Sequence, residues 1–121
     1  MMKTKAQDLL HSYATQLDQF FAVHQDANTA LSDWLASHFS NTQMIELLEA
    51  ILKDTSSLKQ ICQRSYQHGN GFLKVVLLDR GYKLRLHIWF AGQSCEENIH
   101  DHRWSFSSLI LAGSLKSEIW K

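Results

Sequence analysis

Apolar positions recur at steps of three and four through the first half of the chain and then switch to alternation. That switch separates a helical segment from a sheet. Leu10, Tyr13, Leu17, Phe20/Phe21 and His24 fall on one stripe of a helix predicted over 4–25. Thr4 and Gln7 have the spacing of a capping box at its start. A second helix is predicted over 28–39, with Leu31, Trp34, Leu35 and Phe39 on its apolar side, ending near Ser40. Ser40 and Gln43 repeat the capping signature and open a third helix to Lys53, striped by Met44, Leu47, Leu48, Ile51 and Leu52. A fourth, short helix follows, capped by Thr55 or Ser56 and running to about Ser65.

The segment His68-Gly69-Asn70-Gly71 punctuates the chain as a turn. Beyond it Phe72–Leu78 and Tyr82–Phe90 are predicted strands, joined at Asp79-Arg80-Gly81 as a hairpin. Alternation along the second strand assigns Leu84, Leu86, Ile88 and Phe90 to one face and Lys83, Arg85, His87 and Trp89 to the other. A loop over 91–96 leads to a third strand through Ile99-His100-Asp101-His102. A fourth strand is expected over Ser107–Leu111, a turn at Ala112-Gly113, and a fifth strand over Ser114–Trp120. The expectation is an α+β protein, with a helical segment 1–66 and a sheet over 67–121 packed as one domain.

Composition narrows the function classes. A chain of 121 residues with 45% hydrophobic residues can bury a core without a disulfide or structural metal. Lys/Arg and Asp/Glu balance overall, although the first 60 residues carry −3 and the remainder +3. No Lys/Arg stripe accompanies that asymmetry, which argues against a nucleic-acid surface. No apolar run approaches the ~20 residues that span a bilayer, and no apolar leader stands at the N-terminus. Cys62 and Cys95 lack a C-x-x-C spacing, so free thiols in a reducing cytoplasm are expected. The absence of proline has no evident mechanism.

The chemistry concentrates at His100 and His102. One residue apart on a strand, their imidazoles project from the same face and can converge on one ion. The alternative is a pair of half-exposed strand histidines with no ligand. The order Gly92, His100, His102 and, after a hydrophobic strand, Gly113 resembles the first motif of the cupin family. That resemblance implies a cupin-like β-barrel, a double-stranded β-helix, of which this chain holds an incomplete part. It also implies a divalent transition metal at His100 and His102, with iron favoured and zinc, manganese or nickel as alternatives. The implied activity is a metal-dependent dioxygenase acting on a small molecule; the alternative is a non-catalytic ligand-binding or sensor module. No catalytic residue can be assigned.

Two features depart from the family pattern. Phe106 and Ser107 stand where its glutamate ligand would fall, as in thiol-dioxygenase-like cupins that use three histidines, and no second motif follows. The chain therefore reads as a fragment whose open sheet edges invite a homo-oligomer. Arg85 and His87 are the candidate substrate-binding pair, Arg85 suiting a carboxylate through its planar fork. Their face is either a barrel interior or a solvated exterior. Glu97 is a fallback ligand, His68 a turn residue near the mouth, and Cys95 a neighbour of the motif without evident activation. Asp101 is expected to point away from the histidines, with Arg103 placed to pair with it or with Glu96. His11, His24 and His38 belong to helices.

Overall fold

Both predicted capping boxes form, and they set where the first and third helices begin. In the computed structural model, which describes residues 2–24, 29–67, 71–90 and 106–113, α1 spans Lys5–Val23. The Thr4 hydroxyl accepts from the Gln7 amide at 3.2 Å, and the Gln7 side chain accepts from the Thr4 amide at 3.0 Å. Ser40 and Gln43 reproduce that exchange at 3.2 and 2.9 Å at the head of α3 (Asn41–Leu52). Between them lies α2 (Thr29–His38), and α4 (Thr55–Arg64) follows.

The N-cap of α4 is Asp54, one residue before the Thr55 or Ser56 expected from the sequence. Its carboxylate accepts from the Ser57 hydroxyl at 2.6 Å and from the Thr4 hydroxyl at 2.7 Å. The Ser57 bond, and after it the Thr4 bond, hold the Asp54 carboxyl below its ordinary range. One oxygen thus ties the first turn of α4 to the entry of α1, fifty residues away.

The helices bury their stripes together. Tyr13, Leu17, Leu31, Leu35, Phe39, Met44, Leu47 and Ile51 belong to one core, which also takes in Leu77 and Leu78 from the sheet. Tyr13 packs its ring 4.6 Å from Phe39 and edge-on to Trp34 at 6.4 Å, joining α1 to α2. Among the described residues no helix is long and apolar enough to cross a membrane. Cys62 is an exposed free thiol.

Three antiparallel strands follow in the order β1 (Tyr66–Gln67), β2 (Leu73–Asp79), β3 (Lys83–Ile88). The short β1 was not anticipated: it pairs Tyr66 with Lys74 and Gln67 with Leu73, so the glycine-rich segment links two strands. The pairing of β2 with β3 skips one residue, since Val76 faces Arg85 but Leu78 faces Leu84. Leu77 is the extra residue of a β-bulge. Its effect on packing is large, because directly paired residues share a face and Leu84 faces the helices. The bulge therefore turns both Leu77 and Leu78 into the core, where simple alternation sends only one of them.

Arg64 satisfies the backbone that the bulge distorts. Its Nε donates to the Val76 carbonyl at 2.9 Å and its Nη2 to the Leu77 carbonyl at 2.6 Å. The Ser65 hydroxyl meanwhile accepts from the Val76 amide at 3.0 Å. Two side chains from the end of α4 thus continue the edge that β1 begins.

A second connection holds the β2–β3 turn against α1. Arg80 grips the Asp18 carboxylate with two hydrogen bonds, at 2.9 and 2.6 Å, and the Tyr82 hydroxyl donates to the same carboxylate at 2.9 Å. The Arg80 bond holds the Asp18 carboxyl below its usual value. Burial, and after it the Asp18 hydrogen bond, pushes the Tyr82 phenol up from 10.0 to about 12. A phenol that keeps its proton better when folded stabilises the fold fully below its unfolded value, and that contribution is lost as pH rises toward the folded one. Stability to urea is accordingly expected to fall between pH 10 and about 12, and Tyr82→Phe to flatten that limb. The Asp18 contribution has the opposite sense, being present above the ordinary carboxylate range and lost on acidification below it. A Tyr82→Phe protein with an unchanged alkaline limb would rule out this linkage.

Residues 107–111, expected as a strand, are irregular in the structure. Leu109 and Ile110 are exposed while Leu111 packs against the core. An apolar run becomes a strand only when a neighbour accepts its backbone hydrogen bonds. The turn expected at Ala112-Gly113 is present as a bend, with Gly113 at φ +80°, a conformation suited to glycine. The strands expected through Ile99–His102 and over Ser114–Trp120 lie outside the described residues. The architecture described is α+β: helices on one side of an open, three-stranded antiparallel sheet.

Candidate functional site

The two faces of the sheet differ in chemistry. Leu73, Val75 and Leu77 of β2 line an apolar hollow of about 370 Å³ with Leu48, Ile51 and Ile61 of the helices. The opposite face carries Phe72, Lys74 and Val76 together with Arg85, His87 and Trp89. The predicted division of the β3 side chains holds: Arg85 and His87 share the helix-distal face, opposite Val76 and Lys74 respectively. Arg85 is half-buried and His87 exposed.

Aromatic rings flank these polar groups. The His87 ring lies 4.7 Å from Phe72 and 5.8 Å from Trp89, and Phe72 and Trp89 are 4.8 Å apart. Next to them Lys74 is only 8% exposed. Its ammonium sits 5.3 Å from the centre of the Tyr66 ring and 6.0 Å from that of Phe72, within the range of cation–π attraction. Among the described residues no carboxylate pairs with Lys74 or Arg85; Asp79, at the turn end of this face, stands opposite Lys83.

Lys74 and Tyr66 were missed at the level of sequence. A signal existed for Lys74, a single cation inside the apolar run 72–78, placed opposite His87 once the hairpin register is drawn. Tyr66 gave none, because a two-residue strand has no periodicity. The Asp18–Arg80–Tyr82 cluster joins residues more than sixty positions apart and was also not evident.

His100, His102, Glu97, Cys95, Asp101, Arg103 and His68 lie outside the described residues. Among the described ones, no three His, Cys, Asp or Glu side chains gather as a metal site. Phe106, where the cupin pattern has a carboxylate, is 58% exposed. His11 is exposed on α1, while His38 stacks on Trp34 at 4.3 Å with Nδ1 2.8 Å from its carbonyl oxygen. His24 stacks on Phe20 at 4.3 Å. These three histidines thus keep to the helices.

Fold and site together define an α+β protein with a basic, aromatic sheet face turned away from its helices. Comparison with protein-family models, curated proteins and solved structures found no match to this chain.

Proposed function

We propose that this chain is a metal-binding, cupin-like protein whose sheet forms part of a double-stranded β-helix and whose ion is held by His100 and His102. The observation supporting it is the segregation of the sheet. The helices cover one face, and the other presents Arg85 and His87 on the strand that leads into the His-Asp-His segment. In a barrel built that way the helices lie outside and the basic face looks inward.

The donor chemistry fits a first-row ion, since neutral imidazoles suit iron, zinc, manganese and nickel alike. Iron is favoured, and a bound redox-active ion would supply dioxygen activation for a small-molecule oxidation. The role of this chain's own residues is to orient the substrate. Arg85 offers a planar fork to a carboxylate and His87, held beside Phe72 and Trp89, borders it. Copies of the chain paired through open sheet edges belong to the same proposal.

A second reading has its own support. Phe106 and Ser107 provide no carboxylate where the family glutamate falls, which favours a non-catalytic module that binds a small ligand. Metal analysis of protein purified without a His-tag tests the common core of both readings. About one equivalent of metal per chain, lost in a His100→Ala/His102→Ala variant, is expected for a site of two imidazoles. Metal content unchanged by that double substitution would overturn the assignment. Oxygen consumption with thiol or carboxylate substrates then separates the oxygenase from the binding module.

A further inference from the structure

The outer side of α3 carries a second apolar stripe that the core does not use. Met44, Leu47 and Ile51 are buried, whereas Ile45 and Leu52 are 54% and 67% exposed and Leu48 is half-buried. Ile45, Leu48 and Leu52 follow one another by three and four residues, the spacing at which one helix offers a seam to another. Three large aliphatic side chains in a row on an outer helix face exceed the single apolar residues scattered over an ordinary surface.

The stripe has a different relief at each end. Leu48 and Leu52 border the apolar hollow, to which Leu58 and Cys62 of α4 and Leu73 and Val75 of β2 also belong. Ile45 lies seven residues before Leu52, about 10 Å along the helix, and stands out from the surface there. A projection at one end and a hollow at the other make the face self-complementary. A two-fold axis across α3 near Leu48 exchanges the two ends, so Ile45 of each copy meets Leu52 and the mouth of the hollow in the other. Charge selects the same arrangement. Glu46, Glu49 and Lys53 border one side of the stripe, all exposed, with both acids ahead of the lysine. Antiparallel helices bring each Lys53 to the acidic stretch of the other copy, whereas parallel ones set acid against acid and lysine against lysine. Glu46 also holds Lys5 at 3.4 Å, an exposed pair of little strength.

We propose that α3 is a contact between two copies of this chain, the helices crossing antiparallel over Leu48 with Ile45 of each copy seated against the hollow of the other. The contact is separate from pairing at the sheet edges and needs no metal. One helix of 12 residues, about 18 Å long, makes a small interface, of the kind found in concentration-dependent rather than permanent dimers.

Sedimentation velocity of the full chain at concentrations from about 1 to about 200 µM tests the contact. The mass is expected to double across that range. Ile45→Glu and Leu52→Glu should each abolish the doubling, weakening association at least roughly tenfold by placing a charge in an apolar contact. Both positions are exposed, so circular dichroism and the melting temperature at about 1 µM should match those of the parent protein. If one variant does not fold, the other decides the matter. Lys53→Glu should weaken association as well, and added salt should narrow its difference from the parent. Association that survives both glutamate substitutions would transfer the pairing to the sheet edges and overturn the assignment of α3. A chain still monomeric at the highest concentration would overturn it too. Binding of an anilinonaphthalene sulfonate dye to that monomer, lost in Leu52→Glu, would then give the hollow to a small apolar ligand instead.

Discussion

Leu47→Ala is expected to lower the stability of the fold by about 3 kcal/mol, within the range of ~2–5 kcal/mol for truncating a fully buried leucine. Leu47 is 0% exposed and lies in the core that α1, α3 and α4 share with Leu77 and Leu78 of the sheet. The substitution removes three heavy atoms whose transfer from water is favourable, and it leaves a space that surrounding helices close only in part. Against a total of about 5–15 kcal/mol for an ordinary domain, the loss is a large fraction. Leu52 provides the internal control: the sequence places it on the same stripe, but five residues beyond Leu47 it is turned by about 140° around the helix and is 67% exposed. Leu52→Ala is expected to change stability by roughly 0.5 kcal/mol or less. Urea denaturation of both variants distinguishes them, and equal midpoints would show that Leu47 is not at the centre of the core.

Arg64→Ala is expected to cost about 2 kcal/mol, the second largest effect. The substitution takes away both donors to the bulge, leaving the half-buried carbonyls of Val76 and Leu77 without their partner. Each carbonyl then bears a desolvation cost on the order of 1 kcal/mol or more unless water replaces the donor. Arg64→Lys should recover at most part of the loss. A lysine ammonium has no fork, and the two carbonyls are reached from Nε and Nη2 of one rigid plane. Hydrogen exchange gives a local readout, with faster exchange at the Val76 amide and through β2 in Arg64→Ala than in Arg64→Lys. Full retention of stability and protection in Arg64→Ala would mean that the bulge is held by packing of Leu77 and Leu78 alone.

Both large effects lie where sequence reasoning was uneven. Leu47 was legible as a core position, because its spacing from Met44, Leu48 and Ile51 is the helical stripe itself. Arg64 was not, since nothing in a helix end near a turn indicates which carbonyls a guanidinium will find twelve and thirteen residues later. Lys74 falls between these cases. Its charge inside an apolar run is visible, and so is Phe72 two residues before it, whereas the Tyr66 ring beside its ammonium comes from β1, a strand too short to leave a pattern.

What the sequence determined alone is local. Thr4 with Gln7 and Ser40 with Gln43 start α1 and α3 because a cap exchanges hydrogen bonds within three residues. The sorting of Arg85 and His87 away from Leu84 and Leu86 follows from a period of two along one strand. The tertiary structure decided whatever joins distant segments. It brought the Thr4 hydroxyl, at the entry of α1, onto the Asp54 carboxylate at the head of α4. It inserted Leu77 as a bulge so that Leu78 enters the core, and it left 107–111 irregular where apolar content suggested a strand. The physical reason is common to all three: a backbone group or side chain takes the partner that the folded surroundings bring to it, and periodicity along the chain specifies a face but not that partner.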